Sequence, residues 1–433
     1  MIAEKELTYK KILKFWWPLA LMWIVMGLEM PTVNSIIARM SSPKENLAIF
    51  GVVFSLSLII EGPIIQMLSA ANALSTSYNN YKRLSKFLLF ILFILTPIHI
   101  LCCIPQVFTF IAEFFFNLND DFITSARITL TIMIPWTPAI GYRRMWQGVL
   151  IRAGRTYSVT VIMIIRIIAT FLVLFGGFFF TNIKASYIAA ASLSIGVTTG
   201  AIVAGIFASK TIREKKKASD NITVISWKAL FIFYFPLALT SFITMSKRSL
   251  ISAGITRCLF PLESLATWPV VFSFVNLFQS FSFSFQEASI ALISNKKNNR
   301  MLLNSIISIG TLTFLLYSFA IFTPFGRILF LSKISGLPEE LLLISTTPLF
   351  IMAIVSLTTP AVAWFRAINI HNKTTNNVAI AVAIDLVVVV VAMILFNLFF
   401  SILGIIAAAI SFTAAVCSEA VFLIIAANRK KNG

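Results

Sequence analysis

The sequence predicts an all-α polytopic membrane protein: twelve transmembrane helices arranged as two parallel six-helix repeats. The repeats are expected to be related by a pseudo-two-fold axis along the membrane normal and to flank a central cleft. Three observations carry this expectation. The first is composition: 58% of the 433 residues are hydrophobic and only 12% charged, with a mean hydropathy of +0.92. The apolar residues come in continuous runs of roughly 20 or more, the length that crosses a hydrocarbon core about 30 Å thick. Continuous runs specify helices, because barrel strands alternate and only a helix closes its backbone hydrogen bonds within one segment. The second is a repeat. Phe15-Trp16-Trp17-Pro18-Leu19-Ala20-Leu21 returns 218 residues later as Phe233-Tyr234-Phe235-Pro236-Leu237-Ala238-Leu239. Leu47-Ala48-Ile49-Phe50-Gly51-Val52-Val53-Phe54-Ser55 returns at the same offset as Leu265-Ala266-Thr267-Trp268-Pro269-Val270-Val271-Phe272-Ser273. The third is parity: six spans per half bring the chain back to its starting side, so both repeats enter the membrane in the same sense. Internal duplication in a very apolar chain points to a secondary transporter.

The expected spans are 14–38, 47–76, 86–111, 122–146, 155–181 and 184–209, then 228–253, 264–293, 300–331, 338–365, 373–400 and 402–427. This gives an N-lobe over residues 1–210, a cytoplasmic linker over 211–227 and a C-lobe over 228–433. The linker contains Arg213-Glu214-Lys215-Lys216-Lys217 followed by a polar run, too charged to enter the bilayer. Residues Met1 to Tyr9 carry Glu4 and Glu6 and no cleavable leader pattern, so the first span is expected both to target and to anchor the chain. Pro18, Pro31, Pro63, Pro135, Pro138, Pro236, Pro269, Pro348 and Pro360 fall in or near spans, where each frees a backbone carbonyl and favours a kink.

The formal net charge of +19 does not indicate a nucleic-acid partner, because the 35 bases are scattered in short clusters between spans. Most fall on one side: Lys10, Lys11 and Lys14, then Lys82, Arg83 and Lys86, then Arg143, Arg144, Arg152 and Arg155, then the linker, Lys296, Lys297, Arg366, Lys373 and the C-terminal Arg429 to Lys431. The positive-inside rule makes that side, with both termini, cytoplasmic, and places the protein in the cell membrane as a multi-pass chain. The four cysteines, Cys102, Cys103, Cys258 and Cys417, have no metal-binding spacing. His99 reads as a hydrogen-bonded packing residue and His371 as a loop residue.

An ionisable side chain in hydrocarbon costs about 3 kcal/mol or more, so it faces a partner or a watery cavity. Glu29, Glu61, Arg166, Lys247, Arg248, Glu287, Asp385 and Glu419 are such residues. Under the repeat, Glu29 corresponds to Lys247, Arg166 to Asp385 with an offset of 219, and Glu61 to Gln279. Lobes that diverge by exchanging charge suggest a cavity with unlike walls. Glu29, Glu61, Arg166, Lys247, Arg248, Gln279 and Asp385 are therefore the candidate substrate-binding and ion-coupling residues. The bases would attract anionic groups, and Glu29, Glu61 or Asp385 would couple H+ or Na+. Glu419 and Glu287 lie nearer the interface and rank lower. No other cofactor is expected, and the partners are the lipid bilayer and a small-molecule substrate, with the protein acting as a monomer.

Enzymatic signals are weak. Asp120-Asp121 suits a helix start better than a metal site. No HExxH, phosphate-binding GxxxxGKS/T or GxSxG motif occurs. The expectation is a transporter and not an enzyme.

The Arg-rich turn Gly148-Val149-Leu150-Ile151-Arg152-Ala153-Gly154-Arg155-Thr156, its counterpart Trp364-Phe365-Arg366-Ala367-Ile368-Asn369, and the hairpin of Val159–Phe180 with Ile188–Ala208 resemble the multidrug and toxic compound extrusion (MATE) fold and the wider MOP flippase superfamily. The Phe15–Leu21 phrase, Leu47–Ser55 followed by Glu61-Gly62-Pro63, and the ending from Glu419 to Lys431 look like phrases of the progressive ankylosis family, which shares that fold. That resemblance implies an exporter of small anions such as pyrophosphate, citrate or nucleotides, with charges in helices five and eleven that Arg166 and Asp385 match in kind. The leading expectation is thus a secondary exporter of small organic or phosphate-bearing anions, working by alternating access with substrate held among helices one, two, seven and eight. The alternatives are a proton- or sodium-coupled multidrug or cation antiporter, a flippase for lipid-linked saccharides, and a polytopic transferase using Asp120 and Asp121.

Overall fold

The computed structural model describes residues 7–37, 39–116, 120–218, 223–323 and 339–429, and every regular element among them is a helix. In chain order these are α1 (Tyr9–Ile37), α2 (Pro43–Ile65), α3 (Met67–Leu74), α4 (Tyr78–Cys102), α5 (Pro105–Phe116), α6 (Asp120–Ile132), α7 (Trp136–Arg152), α8 (Thr156–Phe180) and α9 (Ala185–Lys217). The second half continues with α10 (Trp227–Ile255), α11 (Pro261–Leu292), α12 (Lys296–Phe322), α13 (Glu339–His371), α14 (Thr375–Phe399) and α15 (Gly404–Arg429). Among the described residues, ten helices or helix pairs are long and apolar enough to cross a bilayer, namely α1, α2 with α3, α4, α8, α9, α10, α12, α13, α14 and α15. The remaining two of the twelve segments are α6 with α7, broken in mid-course, and α11, which is 32 residues long but rich in serine. Large apolar side chains such as Phe93, Leu172, Phe180 and Leu398 point outward and are strongly exposed, as expected for surfaces that meet lipid.

Several expected boundaries shift for local reasons. The run 86–111 is two helices, because Pro105 lacks an N–H and opens α5 at its first position. The run 122–146 is also two helices, broken between Ile132 and Trp136 by Pro135, and α7 then extends to Arg152. Arg143 and Arg144, counted among the bases of the cytoplasmic side at the end of that run, consequently lie in the middle of α7, and Arg143 is buried. Arg366 and His371 likewise belong to α13 and not to a loop. Residues 211–217 of the expected linker are the last turns of α9. The C-terminal part of the run 300–331 extends into residues 324–338, outside the described residues, as do the last residues of the basic C-terminus.

The backbone carries the repeat more clearly than the side chains do. Among the described residues, four have a positive φ: Ser42 (49°), Phe260 (49°), Gly154 (78°) and Lys373 (60°). Ser42 and Phe260 stand at the repeat offset, each followed by a proline that opens a helix and by a glutamate in its first turn, Glu45 or Glu263. Gly154 and Lys373 stand at the 219 offset and separate the fourth and fifth spans of each half. The same two turns were thus kept while their residues changed.

The chain divides into two compact units, one formed by Trp17–Tyr234 and the other by residues 2–16 with Phe235–Gly433. The boundaries fall inside α1 and α10, at the repeated phrase, so each of these helices gives its first turns to one unit and its remainder to the other. In the N-terminal unit, Tyr234 donates to the Pro63 carbonyl at 2.6 Å and packs edge-on against Phe87. In the C-terminal unit, its repeat equivalent Trp16 donates from Nε1 to Ser284 Oγ at 2.9 Å and lies against Phe281 and Phe285.

Packing within each unit depends on close helix approach. A Cβ at Gly148 of α7 would collide with the Leu68 carbonyl and Ala71 of α3, and one at Gly310 of α12 would collide with Pro360 of α13. His99 of α4 is fully buried, with Nδ1 2.9 Å from Thr137 Oγ1 and Nε2 3.2 Å from the Leu130 carbonyl. It therefore holds α4 to both sides of the α6–α7 break. The core of the C-terminal unit is built on Val271, Phe274, Tyr317, Met352 and Phe412, with Tyr317 donating to the Leu349 carbonyl at 2.8 Å.

Candidate substrate and ion-coupling sites

The N-terminal unit gathers its charges around α8. The inward face of that helix reads Val159, Met163, Arg166, Thr170 and Leu174, a spacing of three and four residues that places Arg166 and Thr170 one turn apart. Arg166 Nη2 donates to both carboxylate oxygens of Glu29 on α1, at 2.7 and 2.5 Å, and Thr170 Oγ1 donates to Glu29 Oε1 at 3.4 Å. Both partners are buried. From α7, Arg143 sends Nη1 toward Gln147 Oε1 at 3.4 Å, four residues along its own helix, and toward Met163 Sδ at 3.2 Å. Glu61 of α2 is 1% exposed, and its Oε1 has no hydrogen-bond partner. The charges of Arg143, Arg144 and Arg166 act on it. The cluster thus combines three bases, one of them half-buried, with two acids.

The C-terminal unit keeps the positions and changes the chemistry. Lys247 of α10 donates to Asp385 of α14 at 2.8 and 3.1 Å, and its ammonium also stands 4.5 Å from the centre of the Phe412 ring. Arg366 of α13 binds Glu419 of α15 through Nε at 2.6 Å and Nη2 at 2.5 Å. Glu419 also feels the charges of Asp385 and Lys247, so the four groups form one linked and balanced set. Gln279, the counterpart of Glu61, donates to Thr359 Oγ1 at 3.1 Å. Arg248 is exposed and lies over the Phe272 ring at 4.7 Å, apart from the Lys247 pair.

The structure therefore brings Glu29 and Arg166 together in one unit and Lys247 and Asp385 in the other, each an ion pair joining the first and fifth spans of its half. It separates Arg248 from the Lys247–Asp385 pair. It also raises Glu419 from an interfacial residue to a buried partner of Arg366, because α13 continues to His371 and carries that arginine into the unit. Glu287 is buried as well. Sequence reading missed Arg143, Gln147 and Arg366 as site residues by assigning the two arginines to topology. The signal was available: at the 219 offset Gln147 corresponds to Arg366 and Gly200 to Glu419.

No protein-family model matches the chain, and no curated protein sequence matches it. Solved structures do. A eukaryotic MATE transporter, AtDTX14, superposes with a TM-score of 0.77 at 13% identity, over 96% of this chain and 95% of that one. An outward-facing multidrug resistance MATE family transporter of the MOP superfamily gives 0.73 at 13% identity, over 97% and 95% of the two chains. A MOP superfamily transporter from Pyrococcus furiosus, described as having a binding pocket of reverse polarity that suggests a different function, gives 0.73 at 12% identity, again over 97% and 95%. The protein is thus a polytopic, two-lobed helical membrane protein. Its fold is that of the MOP superfamily transporters, of the MATE type.

Proposed function

We propose that this protein is a secondary active exporter of small organic or phosphate-bearing anions. It works as a monomer in the cell membrane with both termini cytoplasmic, by alternating access of its two lobes. The fold supports transport, and the observation that supports an anionic substrate is the charge imbalance of the N-terminal cluster. Arg143, Arg144 and Arg166 there face Glu29 and Glu61, whereas a cation carrier needs carboxylates in surplus. Glu29, Asp385 and Glu419 are each already held by a base. Arg166 and Arg143 attract the anion, the Glu29–Arg166 and Lys247–Asp385 pairs hold each lobe in register, and Glu61 is the group that couples H+ or Na+. Gln279 and Arg248 play lesser parts, as an uncharged counterpart and a second attractive base.

A second reading, a proton- or sodium-coupled cation antiporter, draws on the multidrug transporters that share the fold and on the unpartnered Glu61 oxygen. Uptake of radiolabelled citrate, ATP and pyrophosphate into proteoliposomes, with and without a proton or sodium gradient, separates the two. The anion reading expects saturable anion flux that loses its gradient dependence in Glu61→Gln. Gradient-driven movement of a cationic dye, with no anion flux, would establish the antiporter instead.

A further inference from the structure

We propose that the N-terminal unit binds the oxyanion group of its substrate, a carboxylate or phosphate, between Arg143, Gln147 and Arg166, beside Gly200 of α9. The inference rests on the anion reading above and assigns its binding site.

Four buried donor atoms carry it: Arg143 Nε, Arg166 Nε, Arg166 Nη1 and Gln147 Nε2 have no hydrogen-bond partner, on residues that are at most 4% exposed. Buried donors are unfavourable to leave unmet, and guanidinium forks match the paired oxygens of carboxylate and phosphate. Both arginine stems pass the same glycine of α9, and Arg143 Nη1 reaches Gln147 Oε1 at 3.4 Å. A Cβ added at Gly200 would stand 3.1 Å from Arg166 Cβ and 3.2 Å from Arg143 Cδ. The cluster's own unpartnered acceptor is Glu61 Oε1, one against four donors.

The other lobe shows what such a site accepts. At the offset fixed by the matching turns Gly154 and Lys373, Gly200 becomes Glu419 and Gln147 becomes Arg366, and there one glutamate oxygen, Oε1, meets both Nε and Nη2 of the arginine. The C-terminal unit carries its acceptor in the chain. The N-terminal unit has no side chain at that place and has unpartnered donors of its own on Arg143, Gln147 and Arg166, so the substrate's oxyanion fills the role of the Glu419 carboxylate. Glu61, acted on by Arg143 and Arg144 of α7 and Arg166 of α8, is the internal competitor for the same bases.

Binding of phosphate, citrate and pyrophosphate to the full-length protein in detergent, read by calorimetry, tests this beside the flux assay. Arg143→Gln should raise Kd at least about tenfold, the effect of losing a charge-assisted hydrogen bond. Gly200→Glu should abolish binding by supplying the carboxylate internally, and Glu61→Gln should tighten it by removing the competitor. Arg143→Lys, which keeps the charge, should bind with intermediate affinity, and Arg155→Gln, at an exposed pair with Glu214, should bind as the parent does. Size-exclusion profiles confirm that each variant is folded. Anion binding and flux unchanged in both Arg143→Gln and Gly200→Glu would overturn the site and leave the anion exporter standing. Variant-sensitive binding without flux would keep the site and overturn the exporter. Absence of both binding and flux for all three anions would overturn both.

Discussion

The two lobes share a backbone plan and differ in how they settle their buried charges. In the C-terminal unit two bases meet two acids in two contacts, Lys247 with Asp385 and Arg366 with Glu419. In the N-terminal unit one contact, Arg166 with Glu29, is closed, while Arg143, Gln147 and Glu61 each keep an unpartnered polar atom. The turns at Ser42 and Phe260, and at Gly154 and Lys373, show that the scaffold was copied. Divergence was spent on the charges, and it left one lobe with Lys247 and Arg366 paired and the other with unpartnered donors on Arg143 and Arg166.

Removing one partner of a buried ion pair is the severest way to break this contrast, at about 3–5 kcal/mol because the other charge is left uncompensated. The cost should be larger in the N-terminal unit. Glu29→Gln leaves Arg166 beside Arg143, with Glu61 as the remaining acid of the cluster. Asp385→Asn leaves Lys247 with the Phe412 ring and within reach of Glu419. Thermal unfolding of the purified variants in detergent should rank Glu29→Gln below Asp385→Asn. The opposite order would mean that the C-terminal network is the tighter one.

The next contrast converts one lobe toward the other. Glu419→Gly removes the built-in acceptor and should cost about 3 kcal/mol by leaving Arg366 half-buried and unpaired. Because the new glycine matches Gly200 and leaves Arg366 without its acceptor, added phosphate or citrate should recover part of the lost melting temperature, as any ligand that binds only the folded state does. A variant that is destabilised but indifferent to anions would show that the equivalence of Gly200 and Glu419 is positional and not chemical.

How much of this was legible in the sequence follows from which forces were in play. The spans were legible because burial in lipid demands long apolar runs, and the duplication because Pro18 and Pro236 sit inside a repeated phrase. The ion pairs were half-legible: the offset matched Glu29 with Lys247 and Arg166 with Asp385, yet the partners are Glu29 with Arg166 and Lys247 with Asp385. Repeat arithmetic finds equivalent positions, whereas pairing depends on which helices touch. Arg143 and Arg366 were hidden because a base near a span end looks topogenic until the helix is known to continue past it. Gly200 was hidden more deeply, since it has no side chain and what it does is let the stems of Arg143 and Arg166 pass close to α9.

A smaller effect tests the exchange of helix ends at the repeated phrase. Tyr234→Phe leaves the Pro63 carbonyl, beside the break in helix at Gln66, without its donor, and should cost about 1 kcal/mol. Trp16→Phe removes an N–H but keeps an aromatic ring against Phe281 and Phe285. Ser284 also retains its bond to the Phe281 carbonyl at 2.7 Å, so this change should cost less. Chemical denaturation of the two variants measures the difference, and equal losses would make the rings, not the hydrogen bonds, the anchors.

The smallest effect is the most specific to the duplication. Gly154 and Lys373 adopt the same left-handed turn, which glycine enters freely and other residues enter at a cost of roughly 1 kcal/mol. The N-terminal lobe therefore already has the residue the backbone prefers, and the C-terminal lobe does not. Lys373→Gly should stabilise the protein by a few tenths to about 1 kcal/mol, since glycine's greater freedom in the unfolded chain takes back part of the gain. Gly154→Ala should destabilise it by about 1 kcal/mol through the same conformational term with the sign reversed. Opposite signs from equivalent positions would identify the turn, and not the neighbouring side chains, as the source. A loss in both variants would instead mean that the Lys373 side chain contributes more where it stands than the strained φ costs.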